Sequence, residues 1–293
     1  MSKLLLFDAY SLIYRAFYAI RSLTGPEGQP VNAIYGFLRM TRKMIADQRP
    51  THCAAVFDLG APSYRLALLP SYKEQRPPTP PDLDAQVPVL RDILNAMRLP
   101  VVELAGEEAD DIIATLAIRA ASAGANALIA SSDKDFTQII NSQIQILRPD
   151  GTLCDAGQVE AKYGVRPEQM VDYLSLLGDS VDNIRGVQGV GAKTAAELLC
   201  RYGTLDNLLA SAATLPKPKL REALLASTAQ LATNRKLIAL RVDLPLPAGW
   251  ESLTVQSPDL PRLTTLLKQC GFKSLLAEIE KESLRGDDLF AGF

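Results

Sequence analysis

The sequence predicts an α/β fold in which a parallel sheet flanked by helices is followed by a smaller helical region. Three observations predict it. Over about the first 165 positions, short apolar runs alternate with helically spaced apolar residues, the pattern of strands joined by crossover helices. Acidic residues follow one apolar run after another, at the strand ends where open parallel sheets bind ligands. From Arg166 onward strand signals nearly vanish and short helical patterns dominate.

Taken in order, residues 4–7, 53–57, 101–104, 127–130 and 144–147 read as buried strands. Between them Ile34, Phe37, Leu38 and Ile45, then Leu83, Val87, Leu90, Leu94 and Met97, recur at helical spacing. Residues 71–81 carry Lys73, Arg76 and the prolines Pro77, Pro78, Pro80 and Pro81. Proline removes donors and clashes with the preceding turn, so this stretch reads as exposed and partly extended, ahead of a helix near Asp82. The chain divides into an α/β domain over 1–165, a helical region over 166–285 and a tail over 286–293, with no internal repeat.

Composition narrows the class. Apolar residues are 47% and charged residues 22%, as in a globular protein. No apolar run approaches the ~20 residues of a membrane-spanning helix, and residues 3–8 are too short for a signal peptide. Cys53, Cys154, Cys200 and Cys270 lack paired spacing, which argues against a zinc knuckle or disulfide framework and for a cytoplasmic setting. His52 is the sole histidine, so imidazole acid–base machinery is absent. Setting aside the nine clustered carboxylates named below turns the net charge of −2 into +7, a mildly basic body around an acidic pocket.

Those carboxylates are the main chemical signal. Asp8 ends the first strand and Asp58 the second, Glu108, Asp110 and Asp111 open the helix after the third, and Asp133 and Asp135 follow the fourth. Asp179 and Asp182, three apart, add two more from the helical region. Like charges raise one another's pKa, and two divalent cations would resolve the conflict. Hard oxygen donors without histidine or thiolate point to Mg²⁺ or Mn²⁺ rather than zinc. Such a pair suits phosphodiester hydrolysis, one ion activating water and the other stabilising the leaving oxyanion. Any single acid after a strand is ordinarily a cap or a solvated loop residue; Asp111 fits a cap best, and Asp82 and Asp84 read as first-turn acids. Independent caps do not account for four successive strand ends and a fifth cluster downstream.

Residues 186–194, Gly-Val-Gln-Gly-Val-Gly-Ala-Lys-Thr, approach a P-loop, but Ala192 separates Gly191 from Lys193 and no apolar strand precedes them. They read instead as a helix-hairpin-helix over about 179–202. Gly189 and Gly191 shape the hairpin, and Lys193 and Thr194 stand beside amides that meet a phosphate. Such a hairpin grips the duplex backbone without reading sequence.

Six ordered motifs carry a resemblance: Leu6-Phe7-Asp8 with Tyr14-Arg15-Ala16; Val56-Phe57-Asp58; Tyr72-Lys73-Glu74-Gln75-Arg76-Pro77-Pro78; Glu108-Ala109-Asp110-Asp111-Ile112-Ile113; Ser132-Asp133-Lys134-Asp135-Phe136; and Gly178-Asp179-Ser180-Val181-Asp182-Asn183-Ile184. Together, over nearly the whole chain, they resemble the 5′ nuclease domain of bacterial DNA polymerase I, within the flap-endonuclease family. The resemblance implies a PIN-like fold and a monomeric 5′-3′ exonuclease and flap endonuclease of replication and repair. Its substrates would be DNA with 5′ flaps, nicks or free 5′ ends. It implies one Mg²⁺ on Asp8, Asp58, Glu108 and Asp110 and a second on Asp110, Asp133, Asp135 and Asp182, with Mn²⁺ able to substitute. Asp111 and Asp179 would support the ligands directly or through water. Arg15, Lys73 and Arg76 would lie near the phosphate being cut, Tyr72 would stack on a base, and hairpin carbonyls would hold K⁺.

Two departures stand out: Arg185 replaces the family's usual proline, loosening the hairpin approach or adding a phosphate contact, and the chain stops at Phe293 without polymerase domains. A stand-alone nuclease is the expectation. Two other functions compete. One is a DNA-structure-binding protein of the same fold with little or no catalysis. The other is a haloacid-dehalogenase-type phosphatase, whose nucleophile strand wants a second acid where this chain has Tyr10. The tail Gly286-Asp287-Asp288-Leu289-Phe290 either docks on the protein or resembles the Leu-Phe peptides that grip the sliding clamp.

Overall fold

The computed structural model describes residues 2–284. The clamp-peptide reading of the tail, on Leu289 and Phe290, lies outside the described residues.

The apolar runs assemble into a six-stranded sheet. β1 (Lys3–Asp8), β2 (His52–Val56), β3 (Val101–Val102), β4 (Asn126–Ala130) and β5 (Ile144–Leu147) lie parallel in the order β3-β2-β1-β4-β5. β6 (Leu153–Cys154) closes the far edge antiparallel to β5. Chain order reverses around β1, which pairs with β2 on one side and β4 on the other, so the crevice opens above β1. Leu4 to Phe7 are fully buried, as a central parallel strand covered on both faces requires.

Leu5 and Phe7 point to the back, under α1 (Ala9–Ala19), α2 (Asn32–Gln48) and, past the short α3 (Ser63–Leu68) and α4 (Pro81–Asp84), α5 (Gln86–Ala96). Leu4 and Leu6 point to the front, against Ile112, Ile113 and Leu116 of α6 (Ala109–Ser122). α7 (Ala156–Tyr163) leads into the helical region, where α8 (Met170–Leu177) precedes a two-stranded ribbon of β7 (Gly178–Asp179) and β8 (Ile184–Arg185). α9 (Ala192–Tyr202), α10 (Leu205–Ala210), α11 (Pro218–Ala226) and α12 (Thr228–Ile238) follow and share the front core.

The chain then returns. The backbone amide of Cys53 donates to Leu253 O at 2.8 Å, and that of Asp259 donates to Ala96 O at 2.8 Å. α13 (Leu260–Gln269) and α14 (Lys273–Leu284) cover the back layer with Leu263, Leu267, Phe272, Leu275 and Ile279. The helical region expected over 166–285 therefore splits, and its last two helices belong to the α/β core. Among the described residues no helix is long and apolar enough to cross a membrane.

Candidate active site

The acids meet at the carboxyl edge of the sheet. Asp8, buried at the end of β1, caps α1 by accepting from the Ser11 amide at 3.2 Å and takes the Ser131 hydroxyl at 2.6 Å. Ser131 follows β4, the neighbour of β1, so parallel pairing sets the two level. The same Ser131 oxygen accepts from the Asp133 amide at 3.0 Å, and Asp133 accepts from the Asp135 amide at 2.9 Å. Asp58, exposed beyond β2, accepts from the Ala109 amide at 2.9 Å. It thus fills the cap at the start of α6, and the buried Glu108 side chain is free for other partners.

Burial pushes the Asp8 carboxyl up to about 6, against its bonds from Ser131 and Ser11 and helped by the charges of Asp133 and Asp58. Burial, then Asp133, pushes Asp135 up to about 7. Asp110 is held well above the usual carboxylate range by burial and then by Asp8 and Asp133. These acids are close enough to suppress one another's ionisation, and Asp133 belongs to both halves of the cluster.

Four cations reach in. Lys73 bonds Glu108, Arg76 donates to Asp182 at 2.6 Å, and Lys134 donates to Asp179 at 2.5 Å. Burial works against each charge, but the paired carboxylates hold all three pKa values above normal. Burial likewise works against the Asp179 carboxylate, yet Lys134 holds it below the usual range. The fourth, Arg65, is buried and bridges Glu108 at 2.5 Å and Asp111 at 2.5 and 2.9 Å.

Arg65 corrects the reading of Asp111. Both Asp111 oxygens are taken, by Arg65 and by the Arg241 amide at 2.9 Å, so it does not cap α6, and Arg65 stands between it and Glu108. Tyr72 is corrected too: only 6% exposed, it has no face to offer a base. Its hydroxyl lies 3.2 Å from Asp182 and 3.3 Å from Glu108, a positioning contact between two acids. The segment expected to be extended turns tightly over 71–76 and docks on the helical region. There the Lys73 amide donates to Asp182 O at 3.2 Å and Asn183 Nδ2 to Ser71 O at 2.9 Å. Residues 74–78 remain exposed.

Arg15 is exposed on α1 and lines a cleft with Asp133, apart from Lys73 and Arg76. The hairpin places Gly189 at φ +77, and α9 begins after Gly191 with Lys193 exposed and Thr194 half-buried. A Cβ at Gly191 would meet nothing within 4 Å. Arg185 leaves the approach pinned rather than loose, since its carbonyl accepts from Gln230 at 2.6 Å and Asn234 at 2.7 Å. Arg65, Ser131 and Lys134 escape a reading of motifs for acids; the signal for Arg65 is a lone charge within Tyr64-Arg65-Leu66-Ala67-Leu68-Leu69.

The donor set is all hard carboxylate oxygen, suited to Mg²⁺ or Mn²⁺, and its pKa values are raised first by burial and then by the neighbouring acids. As the side chains stand, no trio of His, Cys, Asp or Glu among the described residues is gathered tightly enough to hold a metal ion. The chain's own cations occupy Glu108, Asp179 and Asp182 instead. The donor chemistry fits a divalent ion, but the acids would have to draw closer and the cations release them for one to be held.

Residues 3–164 match the 5′-3′ exonuclease N-terminal resolvase-like domain, and residues 165–261 match the 5′-3′ exonuclease C-terminal SAM fold. The chain belongs to the 5′-3′ exonuclease family. It is 38% identical to a 5′-3′ exonuclease of Aquifex aeolicus, over 96% of both chains. It is 39% identical to DNA polymerase I of Bacillus caldotenax, covering 96% of this chain but only 33% of that one. The chain thus spans about a third of the polymerase it matches. In fold it is similar to the flap endonuclease of bacteriophage T5 solved with DNA and metal ions, at a TM-score of 0.70 with 20% identity, over 97% of this chain and 98% of that one. The seam between the two matched regions runs through the site. Asp8 to Asp135 come from the first matched region and Asp179, Asp182 and the hairpin from the second.

Proposed function

We propose that the chain hydrolyses DNA phosphodiesters at 5′ flaps, nicks and free 5′ ends, using two divalent cations, Mg²⁺ with Mn²⁺ as substitute. The observation that carries this reading is the pair of overlapping acid groups, Asp8, Asp110 and Asp133 in one and Asp133, Asp135, Asp179 and Asp182 in the other, whose charges bear on one another. Asp8, Asp58, Glu108 and Asp110 would hold one ion, and Asp110, Asp133, Asp135 and Asp182 the other. Bound ions of this kind lower the pKa of water and offset charge on a leaving oxygen.

The chain's own residues do the rest. Lys73 and Arg76, in reach of the acids, neutralise the phosphate being cut, where charge grows in the transition state. Tyr72 holds Glu108 and Asp182 in register across the seam. Gly189, Gly191, Lys193 and Thr194 take the duplex backbone, and the open space at Gly191 leaves room for close approach. The related T5 enzyme was solved with both DNA and metal ions, which supports the same partners here.

The test is one assay on end-labelled 5′-flap, nicked and blunt duplexes, with and without Mg²⁺, resolved by product length. Metal-dependent release of 5′ products is expected. Tight binding with no cleavage in Mg²⁺, or in Mn²⁺ put in its place, would instead support a DNA-structure-binding protein. Asp135→Ala should lower the rate at least ~10³-fold while leaving DNA affinity nearly intact.

A further inference from the structure

A cleft of about 140 Å³ opens beside Asp133 and is lined by four cations, of which Lys134 is paired with Asp179 and the other three come from three separate elements. Arg15 comes from α1, Arg148 from the turn after β5, and Lys162 from the end of α7. None of the three lies within ion-pair distance of a carboxylate among the described residues, whereas Arg65, Lys73, Arg76 and Lys134 are all paired. Besides Asp133, the one acid in the lining is Asp150. It accepts from the Thr152 amide at 2.9 Å and hydroxyl at 2.7 Å, and the charges of both Arg148 and Arg15 reach it. Lys162 lies over the Tyr163 ring, 4.8 Å from its centre.

Cations that share a small cleft repel one another, and unpaired ones are kept there at a cost that a polyanion removes. The cleft is far too small for a double helix but accommodates a phosphate with its sugar. Lys73 and Arg76 do not line it, so positive charge meets the acids at two separate places. The first adjoins Asp182 and the hairpin that follows it in the chain; the second adjoins Asp133. A duplex gripped at the hairpin, beside the first place, would lay one strand across the acids toward the second.

We propose that this cleft holds the single-stranded backbone of the 5′ segment being removed, just beyond the bond that is cut, and that Arg148 and Lys162 are its recognition residues. The inference rests on the nuclease reading above for its direction, though not for the binding it predicts. The experiment compares a duplex carrying a single-stranded 5′ overhang with the same duplex made flush, by fluorescence anisotropy in EDTA over a range of salt, for wild type and Arg148→Ala/Lys162→Ala. The variant should lose about tenfold in affinity for the overhang substrate. Its salt slope there should fall by roughly 1.4, two single-strand phosphate contacts at about 0.7 each, with flush-duplex affinity unchanged. Arg148→Lys/Lys162→Arg should restore the overhang preference, and matching thermal midpoints show that all variants fold. Equal loss on both substrates, or no loss on either, overturns the proposal. Wild type that fails to cleave a flap in Mg²⁺ or Mn²⁺ would sink the nuclease reading alone, because the overhang increment is measured without metal.

Discussion

Arg65 separates two kinds of acid that look like one cluster in Glu108-Ala109-Asp110-Asp111. Asp111 is structural, and Asp111→Asn leaves a buried guanidinium short of charge, at a cost of about 3–5 kcal/mol in chemical denaturation. Asp135 sits on the other side of that division. Asp135→Asn removes a charge that burial and Asp133 oppose, so it should raise the melting temperature of the metal-free protein at pH 8 while cleavage is lost. The same logic fixes a pH dependence. Asp8 and Asp135, at about 6 and about 7, keep protons in the folded state that the unfolded chain releases near 4. The folded state thus binds more protons above pH 4, and stability in EDTA should fall as pH rises from about 4 through about 7, with Asp110, also held above the usual range, acting in the same direction. Asp179 moves the other way, but its window lies below 4. Melting curves at pH 5 and pH 8 check the sign; a midpoint that rises with pH in EDTA contradicts it.

Among the elements, the turn over 71–76 shows where a local reading fails. Tyr72 stands among Lys73, Glu74, Gln75 and Arg76, a polar setting that reads as solvent-facing. It is buried by Asp182, 110 positions away, a contact no local pattern can announce. Lys73 adopts a left-handed backbone, φ 58, rarely taken by residues other than glycine and held here by the docking on Asp182. Tyr72→Phe keeps the ring and removes the bonds to Asp182 and Glu108, so turnover should drop about tenfold or more with little loss of stability. Tyr72→Ala should cost about 3–5 kcal/mol besides. Lys73→Ala and Lys193→Ala should separate: the first slows single-turnover cleavage, the second weakens binding and lowers the duplex salt slope by about 0.9. Equal effects on binding from both would count against that division. The five parallel strands were legible because each lies in a mainly apolar run, β3 within the longer run 101–104. β6, β7 and β8 were not, since each is two residues with no apolar run around it.

In the molecule as a whole, the strand-end acids were readable from strand order alone. Their cationic partners were not, because Arg65, Lys73, Arg76 and Lys134 find carboxylates through contacts spanning many residues and both matched regions. The return of α13 and α14 was equally hidden, for their apolar spacing says only that one face is covered. That return fastens the back layer firmly: Tyr35 meets Phe272 ring to ring at 5.3 Å, and Arg39 pairs with Glu278 at 2.6 Å. It also sets a timetable. Synthesis delivers the sheet and α5 long before the residues that shield them, so the nascent chain carries an uncovered apolar face through the making of the whole hairpin region. A fragment ending at residue 250 should therefore bind a hydrophobic dye and precipitate, whereas one ending at 284 stays monodisperse. If the shorter fragment folds cleanly, the last two helices are a trim rather than a lid. If it does not, the acids, all synthesised by residue 182, gain a stable frame only once α13 and α14 have followed them out of the ribosome.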